Sequence, residues 1–116
     1  MRINKTHYCV YITTNYTKTV LYTCVTNNLE QRIVEHYLDR FDKKSFTGKY
    51  NAFYVLYYEL HPYIQNAIAR EKEIKGWRRE KKIDLIKTIN PSLEFLNNEL
   101  FDEWPPKNIF HRSDME

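Results

Sequence analysis

Two runs of β-branched and aromatic residues near the start of the chain constrain its fold most strongly. The first covers Tyr8 to Thr13 and the second covers Val20 to Val25, and the polar stretch Thr14 to Thr19 separates them. Such runs favour extended backbone, whereas Asn and Thr are common in turns. The pattern therefore predicts a β-hairpin.

The two faces of this hairpin differ in chemistry. If the strands are symmetric about the polar stretch, Tyr11 lies opposite Tyr22 and Cys9 lies opposite Cys24. Because side chains alternate along a strand, these four residues share one face, and the residues between them form a more apolar face.

The segments that follow predict a helix, a loop and a third strand. Asn27, followed three residues later by Glu30, resembles a capping box and predicts a helix from about Asn28 to Leu38. Residues 39–51 are polar and basic, which is typical of a loop. Residues 53–60 are rich in aromatic and β-branched residues, which predicts a strand.

The second half of the chain has helical periodicity. Helices are expected over residues 64–75 and 78–89, with Gly76 between them and Pro91 ending the second. The predicted order is β-β-α-β-α-α. We therefore expect an α+β fold, a small three-stranded antiparallel sheet flanked by helices.

The length and the ends of the chain set its expected organisation. A chain of 116 residues suffices for one core, so we expect a single domain over residues 1–100. Residues 101–116 are acidic and are expected to form a partly disordered tail, in which Trp104 either anchors a partner or packs on the core. No apolar segment approaches the ~20 residues that cross a bilayer, and no signal peptide is evident, so we expect a cytoplasmic protein without membrane association.

Glycine and cysteine usage excludes several classes of site. Gly48 and Gly76 are the only glycines, too few for the Gly-rich loops that bind phosphates. Cys9 and Cys24 are the only cysteines and are not spaced as a zinc site. Any phosphate ligand must therefore be bound by side chains.

The charge is unevenly distributed. The formal net charge is only +3, but seven basic residues and three acids lie between Arg70 and Lys82. Such a basic segment can contact a polyanion. On charge alone, a solvated helix face is the favoured explanation.

One acidic residue interrupts an apolar stripe. A helix over residues 64–75 places Ala67, Ile68 and Ile74 on one side, with Glu71 near the middle. An ionised carboxylate that faces a core must be paired, bound to a metal or neutralised. A structural ion pair, for instance to Arg32, and a functional site are both compatible with this pattern.

Arg32 and His36 lie four residues apart on the first predicted helix and therefore share a face. A guanidinium suits a phosphate, and an imidazole exchanges a proton near neutral pH. Either residue alone is more often structural than catalytic.

Taken together, these positions resemble the spaced motifs of GIY-YIG endonucleases. The matching elements are, in order, Cys9-Val10-Tyr11, Tyr22-Thr23-Cys24, Arg32, His36 and Glu71. The tracts 25–30 and 69–79 are similar to the small single-domain branch of that family, which resembles the N-terminal nuclease domain of the bacterial excision-repair incision subunit. The resemblance covers about residues 7–91.

This resemblance implies a function and assigns roles to residues. Glu71 would bind one Mg²⁺ or Mn²⁺ ion, and Arg32 would neutralise charge on the phosphoryl oxygens. Tyr11 and Tyr22 would lie on the side of the attacking water, one orienting or deprotonating it and the other holding it by a hydrogen bond. His36 fills a position where the family has His or Tyr.

The remaining implied residues concern the edge of the site and the substrate. Asn90 is the candidate for the late active-site Asn of the family. DNA is the expected substrate, in a branched or damaged form among others, and the sequence leaves duplex, branched and single-stranded substrates and RNA open. Repair is one compatible role. The candidate phosphate contacts are Lys72, Lys75, Arg78 and Arg79.

The chain departs from the family pattern at two positions. Cys9 and Cys24 stand where the family usually has glycine, and a thiol at position 24 can crowd the substrate or the metal. This departure keeps a second hypothesis open, a nucleic-acid-binding module on the same fold that does not cut. A third hypothesis is a protein-interaction domain that uses Trp104 and the acidic tail.

Overall fold

A computed structural model describes residues 7–106 of the chain. Within these residues the elements are β1 (Tyr8–Thr14), β2 (Leu21–Thr26), α1 (Leu29–Leu38), α2 (Phe46–Tyr50), β3 (Tyr54–His61), α3 (Ile64–Lys75), α4 (Arg79–Lys87) and α5 (Asn97–Leu100). None of the described helices is long and apolar enough to cross a membrane.

The three strands form one antiparallel sheet in the order β2-β1-β3. This arrangement confirms the predicted α+β fold. Helices α2 and α5 were not expected, since a helix of one turn leaves no periodic signal in the sequence. Strand β1 is central and is buried from Cys9 to Thr14 because it has a neighbouring strand on each side and helices on each face.

The predicted hairpin register is wrong by two residues. Tyr11 pairs with Cys24, Thr13 pairs with Tyr22, and Cys9 pairs with Thr26 rather than with Cys24. A shift of two residues leaves every side chain on its predicted face, whereas a shift of one would exchange the faces.

The hairpin loop explains this register. The strands close at Thr14 and Leu21, so the loop begins one residue later than predicted. The Asn15 side chain organises the loop, because its Oδ1 accepts hydrogen bonds from the backbone N–H groups of Thr19 at 2.8 Å and Val20 at 3.3 Å. The hairpin is therefore centred one residue later in the chain than predicted.

Each face of the sheet carries its own core. Leu29 and Ile33 of α1 cover one face, together with Leu96 and Leu100 from the C-terminal segment. The other face is covered by α3 and α4 through side chains that include Ala67, Ile74 and Ile86. Helices on both faces bury nearly all of β1, the strand that carries Tyr11.

Helix α1 begins one residue later than predicted. Its N-cap is Asn28, whose side chain accepts a hydrogen bond from the backbone N–H of Gln31 at 3.1 Å, so the predicted cap at Asn27 is wrong. Asn28 and Gln31 have the same spacing as the predicted pair, and the two adjacent asparagines made the choice ambiguous.

The segment after α4 is fastened to β3. The Asn97 side chain accepts a hydrogen bond from the backbone N–H of Val55 at 2.7 Å and donates one to the carbonyl of Phe53 at 3.0 Å. Phe101 and Trp104 pack against the same core, so Trp104 holds the start of the predicted tail on the domain. The prediction of disorder for residues 107–116 lies outside the described residues.

Helix α3 is held on the sheet by a polar network around Glu59 of β3. Its carboxylate accepts hydrogen bonds from Tyr57 at 2.7 Å and from Arg70 Nε at 3.1 and 3.2 Å, and it also contacts His61. Burial opposes ionisation of Glu59, but these hydrogen bonds outweigh it and lower its pKa. The network fixes the helix immediately before Glu71.

Candidate active site

A chain of buried hydrogen bonds joins β1, α1 and α2. The Tyr11 hydroxyl lies 3.0 Å from His36 Nε2, and the Thr47 hydroxyl lies 3.1 Å from His36 Nδ1. Tyr11 is fully buried in the central strand, and the His36 ring is fixed by a partner at each nitrogen. A neutral imidazole has one donor and one acceptor nitrogen, so it accepts one of these bonds and donates the other.

Tyr22 and Cys24 complete this face of the sheet from the edge strand β2. The Tyr22 ring meets the His36 ring edge to face at a centroid distance of 6.0 Å. Cys24 lies directly across the strand pair from Tyr11, and its thiol donates a hydrogen bond to the carbonyl of Val25 at 3.7 Å. Cys24 therefore neighbours Tyr11 across the strands and shares a face of β2 with Tyr22.

Arg32 lies one turn before His36 and reaches the same place. Burial opposes its charge, but the neighbouring Tyr11, Glu35 and Cys24 groups outweigh this and raise the pKa of Arg32. Its ion pair with Glu35 is long, 3.8 Å, and both side chains are substantially exposed. Such a pair is weak, so the guanidinium keeps donors available to an anion.

Burial changes the acid–base properties of these groups. Burial, reinforced by the Arg32 charge, lowers the pKa of His36 to about 4, so the ring is neutral at physiological pH. Burial and the Cys24 thiol raise the pKa of Tyr11 well above its usual value, although the positive charge of Arg32 opposes this.

Tyr22 is affected in the same direction but is only half-buried. Burial first, then the hydrogen bond and the charge of Cys24, and finally the Glu71 carboxylate raise the pKa of Tyr22 to about 12, against the opposing effect of Arg32. The Glu71 charge therefore acts on a phenol of the site, although α3 packs on the opposite face of the sheet.

Glu71 itself is largely shielded from solvent. Its side chain is 15% exposed, and its Oε1 lies 3.3 Å from Lys75 Nζ. Glu71 therefore has the ion pair that the structural alternative expects, but its partner is Lys75, and the suggested partner Arg32 is wrong because Arg32 pairs with Glu35. The predicted stripe is also partly wrong: Ala67 and Ile74 are buried, but Ile68 is exposed.

The carboxylate suits a single hydrated cation rather than a protein cage. Among residues 7–106, no cluster of three or more His, Cys, Asp or Glu side chains is placed to hold a metal ion. Mg²⁺ commonly keeps several waters and is bound by one or two carboxylates together with substrate phosphates. A partly exposed Glu71 beside a surface lysine fits that mode, because the flexible ammonium can leave the carboxylate.

Asn90 has a different environment from the other candidates. Its side chain is buried, donates hydrogen bonds to the carbonyls of Leu56 at 2.9 Å and Glu94 at 2.8 Å, and accepts one from the Glu94 N–H at 3.0 Å. The amide thus ties the loop after α4 to β3. This environment indicates a structural residue, and an active-site role for Asn90 stays a prediction.

The four basic residues that were predicted to contact phosphate differ in their surroundings. Lys72 and Arg78 are exposed, whereas Lys75 is engaged with Glu71. Arg79 donates hydrogen bonds to the carbonyl of Lys18 at 2.7 Å and that of Thr19 at 3.2 Å, which fastens the hairpin loop to α4.

The sequence did not single out Thr47 or Phe46, both in α2. Thr47 is buried against His36, and the Phe46 ring stacks on Tyr22 at 5.4 Å and 22°. The one available signal was Ser45, a good N-cap residue, whose hydroxyl accepts a hydrogen bond from the Gly48 N–H at 3.0 Å.

Comparison with known proteins agrees with the geometry. No curated protein and no solved structure gives a significant match. A family model described as the GIY-YIG catalytic domain matches residues 7–84, which include Tyr11, Tyr22, Arg32, His36 and Glu71. Asn90 lies beyond the matched residues. The chain therefore belongs to the GIY-YIG family, whose members are generally endonucleases.

Proposed function

We propose that this protein is a metal-dependent endonuclease that hydrolyses phosphodiester bonds in DNA. The observation that carries the proposal is the convergence of Tyr11 and Tyr22 on His36, with Arg32 one turn earlier on the same helix. Two phenols, a guanidinium and one shielded carboxylate supply groups for the water, the phosphate and a cation.

Glu71 would hold a single Mg²⁺ or Mn²⁺ ion. Bound there, the ion would polarise the scissile phosphate and stabilise the leaving oxygen. Arg32 would contribute a second positive charge, because its planar fork of donors matches the phosphoryl oxygens on which charge builds up.

The two tyrosines would have different tasks. Tyr22 is partly exposed, so we assign it to the attacking water, which it orients by a hydrogen bond. Tyr11 is fully buried, and its oxygen can accept from Arg32 while its hydroxyl donates to His36 Nε2. In this assignment His36 donates a hydrogen bond from Nδ1 to Thr47, so the hydrogen bonds that join Thr47, His36 and Tyr11 position Arg32.

A specific observation favours the alternative of a binding module that does not cut. The Cys24 thiol contributes to the raised pKa of both phenols, and Cys24 pairs directly with Tyr11 across the strands. The resemblance places a glycine at that position in the family. If the thiol blocks the substrate, the chain would bind nucleic acid without hydrolysing it.

Nicking of supercoiled plasmid with Mg²⁺ or Mn²⁺ tests the proposal. The wild-type protein should convert the plasmid to the open circle, while Glu71→Ala and Arg32→Ala should not. Glu80→Ala, which removes an exposed glutamate from the first turn of α4, is the matched control and should nick normally.

The same assay separates the two functions. Binding in a mobility shift without nicking at any metal concentration would support the alternative, and recovery of nicking by Cys24→Gly would identify the thiol as the cause. Normal nicking by Glu71→Ala would reject the assignment of the metal to that carboxylate.

A further inference from the structure

An exposed aromatic cluster, Phe46 and Tyr50, lies at the rim of the site. Phe46 stacks on Tyr22 at 5.4 Å, and the Tyr50 ring lies 4.8 Å from that of Phe46. Phe46 is 43% exposed and Tyr50 is 39% exposed. A line of three rings therefore leads from the phenol assigned to the attacking water out to solvent.

The cluster is held rigidly. It belongs to α2, which Ser45 caps and which Thr47 fastens to His36. Gly48 packs so closely on the preceding loop that a Cβ atom there would lie 2.5 Å from the Asp42 carbonyl oxygen. Exposed rings on a fixed backbone lose little entropy when a flat ligand stacks on them.

The charges around the cluster identify the ligand. Lys43, Lys44 and Lys49 are exposed, and none of them forms an ion pair within residues 7–106. Lys49 Nζ lies 5.3 Å from the centre of the Tyr50 ring. Nearby Asp42 is turned back to the backbone N–H of Lys44, with which it forms a hydrogen bond of 2.9 Å.

Aromatic faces interleaved with lysines are the features that bind unpaired nucleotides. Bases stack on the rings, and the cations contact the phosphates. A continuous duplex presents phosphates at its surface but keeps its base faces stacked inside. The rings of the cluster can therefore stack on a base only if a base next to the scissile phosphate is unpaired.

We infer that Phe46 and Tyr50 bind an unstacked base beside the scissile phosphate, so that the substrate contains single-stranded or unpaired nucleotides. The inference rests on the proposed function and narrows its substrate class.

Fluorescence anisotropy in Ca²⁺ tests this inference with two labelled DNA strands of equal length. One carries bases, and the other is abasic and keeps only the sugars and phosphates. The wild-type protein should bind the strand with bases more tightly, and Phe46→Leu and Tyr50→Leu should each reduce the ratio of the two affinities roughly fivefold or more. Each ratio is measured on one protein, so a partly unfolded variant does not distort it.

Tyr63→Leu is the matched control, because it removes an exposed ring at the start of α3, outside the cluster, and should leave the ratio unchanged. Lys43→Gln should weaken the binding of both strands equally, since it removes only a phosphate contact.

Equal wild-type affinity for the two strands, or tighter binding of a matched duplex, would overturn the inference. If Glu71-dependent nicking of plasmid persisted in that case, the proposed function would stand without it. If the protein bound neither of the two strands nor the duplex, both the inference and the proposed function would be rejected.

Discussion

Replacing His36 with glutamine should remove part of the pH dependence of folding stability. The imidazole is 3% exposed, and burial lowers its pKa from 6.5 to about 4. Because the folded pKa lies below the unfolded one, the unfolded chain binds the extra proton first. The stabilising contribution is complete above pH 6.5, is lost as the pH falls from 6.5 to 4, and changes no further below that. At 1.36 kcal/mol per pKa unit, the loss is about 3 kcal/mol.

Urea unfolding of both proteins between pH 7 and pH 4 measures this effect. Other groups that titrate in this range are present in both proteins and cancel in the difference. The wild-type free energy of unfolding should fall by about 3 kcal/mol more than that of His36→Gln. An equal fall in both proteins would show that His36 is protonated as easily in the fold as outside it, which would refute its assignment as a neutral hydrogen-bonding partner of Tyr11.

Three further predictions concern the thiol, the carboxylate and the core. Cys24→Gly should lower the pKa of Tyr22 from about 12, as measured by absorbance titration of the phenolate, and an unchanged titration midpoint would contradict this. The same substitution should increase the nicking of supercoiled plasmid. Lys75→Met should tighten Mn²⁺ binding by up to about fivefold in calorimetry, because the ammonium no longer competes for Glu71, and weaker binding would be evidence against that competition. Asn97→Ala should cost about 3 kcal/mol in urea unfolding by leaving two buried backbone groups unpaired, and a loss below 1 kcal/mol would contradict the reasoning.

Much of the fold could be predicted because its signals are local. The periodicity after Pro62 gave the bounds of α3, and the two extended runs gave the hairpin with the correct faces. The register required the conformation of the loop, where Asn15 binds backbone groups four and five residues ahead. The composition of the two strands contains no information about such side-chain contacts.

The site was predictable only in part, for a related reason. Glu71 stood out because a carboxylate is costly in an apolar stripe. Helical spacing put Arg32 and His36 on one face, but only the family resemblance selected them as site candidates. Thr47 was not predicted, because a threonine in a polar stretch of sequence does not indicate that its hydroxyl is buried against an imidazole. The environment of Asn90 could not be anticipated either, since its partners are backbone groups.

The most direct test of the account is the single-turnover rate of DNA hydrolysis as a function of Mg²⁺ concentration, for the wild-type protein and Glu71→Gln. The wild-type rate should saturate as expected for one bound ion, and the substitution should lower it by roughly a hundredfold or more. Hydrolysis in excess chelator, or equal rates for the two proteins at every Mg²⁺ concentration, would contradict a nuclease whose single metal ion is held by Glu71.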